Sequence, residues 1–245
     1  LVEAPVFPPL LKGHCVAEGA KAFDAAAATA SAGSAGAGDL FWSRDEAVID
    51  IAVVLEPECI EVQALQMLFV AMVAFGDSFG AIAPPEIGVF YRWPNGFEIS
   101  GASVGRARVC VGPLREEVPE WMVVGITVRN MPYDGPVEPG HDLQRTTLWD
   151  EGAGELDHVR MVESFARHLL TWVHNWSEDG FRPVNEAWMG RATGRDELHE
   201  IKWQDARHKG VFLAVGEDGQ MLLKGKNGTV ALPLEPVVER IRAGA

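Results

Sequence analysis

The chain has 245 residues, 47% of them hydrophobic, which suffices for one full-sized core and a small appended module. Its 21 basic against 35 acidic residues leave a formal charge of −14 at pH 7, a surface that repels phosphate backbones and argues against nucleic-acid partners. Cys15, Cys59 and Cys110 are scattered and form no CxxC pair, so free thiols are expected rather than a disulfide framework or a zinc knuckle.

No apolar run approaches the ~18 residues of a membrane span, and no charged-then-apolar signal segment opens the chain; a cytoplasmic location without membrane contact is expected. The opening is proline-rich and extended to about Pro9. An alanine-rich stretch over 17–32 predicts a helix with little to pack with. It stops at the glycines of AGSAGAGD, which predict a flexible loop. DIAVVL over 50–55 reads as a buried strand, and 62–81, apolar on nearly every face, as a helix sunk into the core. Strands are expected over 88–92, 103–111 and 121–128. The prolines and glycines of PYDGPVEPG predict a long exposed loop over 130–145. Val162, Phe165, Leu169, Trp172 and Trp176 then mark the apolar stripe of a helix over 156–178, and PVNEAWMGRA a shorter one. After Gly194, short strands joined by EDG and KNG turns predict a small β-barrel. The fold class is α+β, with one domain over 1–193 and a second over 194–245.

The segment RWPNG, 92–96, resembles the lysine-tryptophan-proline-asparagine-aspartate motif of biotin protein ligases. Further segments follow in that family's order. The glycine loop ending in Phe41-Trp42 matches its glycine- and arginine-rich loop, and SVGRARV, 103–109, the strand with its reactive-site lysine. VVGITVRN, 123–130, is similar to its glycine-isoleucine-asparagine strand. TTLWDEG, EDGFRPVNEAW and GVFLAVGEDGQMLLK resemble its later stretch, including the carboxy-terminal barrel.

The resemblance to the biotin protein ligase and lipoate ligase superfamily runs from about Gly33 onward. It implies a mixed sheet packed with helices, plus an SH3-like barrel. The implied activity is ATP-dependent: with ATP, Mg and biotin or lipoate, the acid is joined to AMP and passed to a lysine of a biotinyl- or lipoyl-carrier protein. The implied ligand-binding residues are Gly36, Gly38, Trp42, Arg92, Asn95, Gly105 and Arg106.

Bringing a carboxylate against an ATP phosphate requires positive charge around two anions. Here the glycine loop holds no arginine or lysine and ends in Asp39. The family's strand lysine aligns with Ala102, Gly96 stands at the motif's aspartate, and Arg92 at its lysine. No serine-threonine-asparagine triplet is visible in LLKGHCVAEG. Strand alternation puts Ala102, Val104, Arg106, Arg108 and Cys110 on one face, so Arg106 is expected either to supply the missing cation and meet a small carboxylic acid, or to lie on a solvated face. A bulge would reverse that parity.

Trp42 stacks on an adenine or sits in the core, and Asn95 contacts the ligand or only shapes a turn. Glu155 and His158 fit a helix start better than a metal site, and Cys110 an inert thiol better than a nucleophile. Three functions stay open: the ATP-dependent ligase, a non-catalytic relative that binds a small carboxylic acid or a protein partner, and a transferase using an already activated acyl donor. Lys12, Lys21 or Arg44 folding over the site would favour the ligase.

Overall fold

The computed structural model describes residues 4–132 and 143–241. Most of PYDGPVEPG, and with it the centre of the expected long loop, lies outside the described residues. After the extended opening come β1 (Lys12–Cys15), α1 (Ala22–Ser31), β2 (Asp39–Trp42) and β3 (Val48–Leu55). The β-branched run of β3 is buried along most of its length because helices cover both faces of the sheet at that point.

α2 (Glu61–Ala64) and α3 (Met67–Gly80) replace the single helix expected over 62–81. They break at Gln66, which accepts a hydrogen bond from the Trp176 indole at 2.6 Å and donates one to the Glu217 carbonyl at 2.8 Å. Contrary to the expectation that no such run exists, Glu61–Gly80 is long and apolar enough to cross a membrane. Yet 83% of its apolar window is buried within the protein, as in a core helix.

β4 (Phe90–Arg92), β5 (Gly96–Ile99) and β6 (Ala102–Val111) form a meander. The short pair β7 (Leu114–Arg115) and β8 (Val118–Pro119) leads to β9 (Met122–Arg129). α4 (His158–Asp179) and α5 (Phe181–Met189) follow. Asp157 caps α4 by accepting from the Arg160 N–H, and Gly180 separates the two helices with φ +72°.

The main sheet runs in the order β1-β2-β3-β9-β6-β5-β4; β1 joins β2 in parallel, and the remaining neighbours are antiparallel. One face packs on α3, α4 and α5, where Phe69, Phe75, Tyr91, Phe97, Phe165 and Trp188 fill the larger core. The other face carries a smaller core under α1. The alanine-rich helix does have something to pack against: Ala22, Phe23, Ala26, Ala27 and Ala30 are buried on Phe41, Ala52, Val54, Cys110 and Val123. Side chains of one carbon let the helix lie close to the sheet.

β10 (Leu198–Trp203), β11 (Ala206–Val215), β12 (Met221–Gly225) and β13 (Gly228–Leu232) form a four-stranded antiparallel sheet, the small SH3-like unit expected at this end. Gly219 (φ +76°) and Gly228 (φ +125°) make its EDG and KNG turns. Its inner residues Phe212, Met221, Leu223 and Leu232 belong to the same hydrophobic cluster as α3. The Trp93 indole donates to the Gly219 carbonyl at 3.0 Å and packs on Trp203, so the RWPNG hairpin abuts this unit. The chain finally returns as β14 (Val238–Arg240), parallel to β6.

Candidate functional site

Strand register builds the floor of the site. Asp50 on β3 lies opposite Thr127 on β9, Thr127 opposite Arg106 on β6, and Arg106 opposite Gly96 on β5. In the next row, Ala52, Gly125 and Arg108 lie beneath α1. A Cβ at Gly125 would sit 2.6 Å from the Phe23 ring, so glycine there lets the helix down onto the sheet. α1 begins at Ala22, whose N–H donates to Asp50 Oδ2 at 2.8 Å. The row of Asp50, Thr127 and Arg106 therefore stands just beyond the helix, and a cleft of about 740 Å³ opens over it.

This cleft inverts the charge of the molecule. Lys21, Arg106, Arg108, Arg129 and Arg145 line it, against Asp45 and Asp50. The cations come from separate elements: Lys21 from the turn before α1, Arg106 and Arg108 from β6, Arg129 from the end of β9. Arg145 is delivered by a segment pinned to β6, where the Ser103 N–H donates to the Gln144 carbonyl at 2.8 Å and the Thr146 N–H to the Ser103 carbonyl at 2.9 Å.

The arginines of β6 differ in role. Arg108 donates to both oxygens of Glu239 at 2.8 Å and to Asp24 at 2.9 Å, with its guanidinium 4.0 Å from the Phe23 ring centre. It ties α1, β6 and β14 together. Arg106 is exposed to the cleft, and its side chain makes no hydrogen bond or ion pair with any described residue. Lys21 also has no acidic partner among the described residues. The positive potential of the cleft therefore rests first on Lys21 and Arg106.

Asp50 is 4% exposed. Burial pushes its carboxyl above the ordinary value of 3.8, and the bonds from Ala22 and Thr127 offset only part of that. A carboxyl raised in the folded state contributes stability that is fully present below 3.8 and lost as pH rises through the folded value. Relative to Asp50→Asn, the parent protein is thus expected to be at its best in acid and to lose ground across that window. Urea unfolding of both proteins at acid and neutral pH checks this, and a pH-independent difference would refute it.

Of the residues implied by the resemblance, Gly105 and Arg106 line the cleft. A Cβ at Gly105 would lie 2.3 Å from the Thr127 carbonyl oxygen, so the strands require glycine there. Gly36, Gly38, Trp42, Arg92 and Asn95 lie outside its lining. The Gly36 N–H donates to Asp39 Oδ2 at 2.8 Å, while Asp39 Oδ1 meets the His14 ring at 2.6 Å, so the glycine loop closes on its own aspartate. Gly38 has φ +89° and passes tightly under the Leu10 carbonyl. Trp42 is 3% exposed, within the larger core. Asn95 shapes the hairpin: its side-chain N–H donates to the Ala107 carbonyl and its carbonyl accepts from the Ala107 N–H, both at 2.8 Å. Arg92 points to solvent and pairs with buried Glu98 at 3.1 Å.

Strand parity is broken once. Phe97 pairs with Gly105 but Glu98 with Ser103, so Val104 is an extra residue and turns into the larger core. Beyond this bulge the alternation holds, with Arg106, Arg108 and Cys110 on the α1 side. Cys110 is sealed beneath α1; burial, with Glu239 adding to it, pushes its thiol up to about 11. Asp50, Thr127, Arg129 and Arg145 were not foreseen in the site. An acid inside the apolar run VIDIAVVL was the one legible signal.

Comparison with known proteins adds ancestry. The model of the biotin/lipoate A/B protein ligase family matches residues 7–190. A biotin–[acetyl-CoA-carboxylase] ligase of Paracoccus denitrificans is 26% identical over 196 residues, covering 75% of this chain and 77% of that protein. A crystal structure from Silicibacter sp. tm1040, described as a biotin protein ligase-like protein of unknown function, is 33% identical with a TM-score of 0.85, covering 96% of this chain and 99% of the other. The biotin protein ligase of Aquifex aeolicus shares the fold at 16% identity and a TM-score of 0.70, over 91% of this chain and 92% of its own.

Proposed function

Because the chain belongs to the biotin/lipoate A/B protein ligase family, we propose that its cleft activates a small carboxylic acid of the biotin or lipoate type with ATP and passes it to a lysine of a carrier protein. In the first step a carboxylate oxygen of the acid attacks the α-phosphorus and pyrophosphate leaves; in the second the lysine amine attacks the acyl carbon and AMP leaves. The observation that carries this reading is the cationic lining of the cleft, where the side chains of Lys21 and Arg106 meet no acid among the described residues. Arg106 is positioned to take the carboxylate, and Lys21, Arg129 and Arg145 to offset the phosphate charge that the glycine loop no longer meets. Mg²⁺ would arrive with the nucleotide. The reading places the protein in the cytoplasm, with residues 1–193 as the ligase unit and 194–245 as the SH3-like unit.

A second reading has its own support. Ala102 stands where the family's lysine is expected, and the Gly36 N–H, a donor suited to a phosphate, is already engaged by Asp39. Those features favour a relative that binds a small acid or a protein partner without adenylation, or that takes an already activated acyl donor. Calorimetric titration with ATP, biotin, lipoate and octanoate, singly and in acid-plus-ATP pairs, separates the two, followed by acid-dependent exchange of pyrophosphate into ATP. The ligase is expected to bind ATP more tightly with its acid and to exchange pyrophosphate. An acid that binds while ATP does not, with no exchange, would leave only the second reading.

A further inference from the structure

β5 pairs with β6 only as far as Arg106, and the Asn95 carbonyl then accepts from the Ala107 N–H. Beyond that point the edge of β6 is covered by β14, where Val238, Glu239 and Arg240 lie opposite Val109, Cys110 and Val111 in parallel. The cover is light. β14 has three residues and none of them is fully buried, although Ile241 just after it packs on the smaller core. Two ion pairs hold it, Arg240 with Glu61 at 2.6 Å and Glu239 with Arg108 at 2.8 Å. A short strand with few buried apolar contacts opens more readily than the core strands around it.

One of those ion pairs reaches the cleft. Arg108 lines it from the same face of β6 as Arg106, two residues and about 6.6 Å further along the strand. Its guanidinium is turned to Glu239, which accepts through both oxygens at 2.8 Å. Asp24, the other partner, accepts one bond at 2.9 Å and has its side chain 57% exposed. Lys21 and Arg106 meet no acid among the described residues, whereas Arg108 is occupied by carboxylates. An anion in the cleft and Glu239 are therefore rivals for one guanidinium, and the rivalry is settled by whether β14 is docked.

We infer that β14 is a displaceable strap: docked, its Glu239 withholds Arg108 from the cleft, and lifted, it adds Arg108 to Lys21 and Arg106 as a third cation for the bound anion. The inference rests on the reading of the cleft as an anion site. By linkage, an anion that recruits Arg108 loosens β14 by the same factor as lifting β14 strengthens the anion.

Calorimetry of the full chain with metal-free inorganic pyrophosphate tests the first half. Glu239→Gln keeps the shape of the side chain and removes its charge, and is expected to bind pyrophosphate about fivefold more tightly than the parent. In an Arg108→Ala background the same substitution is expected to change nothing. Hydrogen exchange of the parent tests the other half and needs no variant: saturating pyrophosphate is expected to speed exchange of the 238–241 amides and to leave those of β12 as they were. Equal affinity of Glu239→Gln and the parent, or 238–241 exchange unmoved or slowed by the ligand, would overturn the strap while the anion site stands. A gain that persists without Arg108 would overturn it too, since Glu239 would then act only as a distant charge. No binding of pyrophosphate by parent or variants would overturn the anion site itself, and the strap with it.

Discussion

Replacing Arg106 by alanine is expected to weaken binding of a small carboxylic acid in the cleft by about 10- to 100-fold, with the folded state as stable as before. A hydrogen bond to a charged group contributes about 1.5–3 kcal/mol, and each 1.4 kcal/mol is about tenfold in affinity. Arg106 has no partner among the described residues, so its removal orphans no carboxylate and opens no cavity in either core. Stability should stay within about 0.5 kcal/mol of the parent. Arg106→Glu places an anion in the same cleft and is expected to abolish binding. Arg92→Ala, on an exposed arginine paired with Glu98 outside the cleft, serves as the matched control and should bind normally. Calorimetry with the best acid from the first titration reads the effect. Undiminished binding to Arg106→Ala would leave Arg106 as a solvated strand residue and shift the anion to Lys21 and its neighbours.

Replacing Phe23 by alanine is expected to cost about 3–5 kcal/mol, a large part of the stability of an ordinary domain. The ring is 2% exposed and rests over Gly125, where no side chain from the sheet can take its place. The neighbouring contacts of α1 are mostly alanines, too short to fill the gap. Loss of the ring also removes the surface beneath the Arg108 guanidinium, which holds Asp24 and Glu239 at the same point. Urea unfolding measures the cost, and acid binding should weaken along with it because the floor of the cleft is set by how α1 sits. A loss below about 1 kcal/mol would show that α1 contributes little to the fold.

Much of the architecture was readable because it rests on local rules. The apolar stripe of α4, the EDG and KNG turns and the buried run of β3 announce themselves by period and turn chemistry. Other elements were not readable. β1 has no strand pattern of its own and exists because β2 offers it an edge. The break between α2 and α3 hides in an apolar run and is stabilised by Gln66 reaching Trp176 and Glu217, more than a hundred residues away. The bulge at Val104 depends on the pairing of β5 with β6, which strand alternation alone does not reveal.

The sequence by itself determined the α+β class, the order of the longer elements and the family, through collinear segments that need no contact between them. It also showed that no cation precedes Asp39 in the glycine loop and that β6 carries arginines and no lysine. The tertiary structure alone decided where positive charge reappears. Lys21, Arg106, Arg129 and Arg145 are far apart in the chain and meet only because α1 begins over Asp50 and the segment before Thr146 is pinned to β6. A motif records neighbours along the chain, whereas an anion responds to distance in space, and Coulomb attraction does not distinguish which strand supplies the charge.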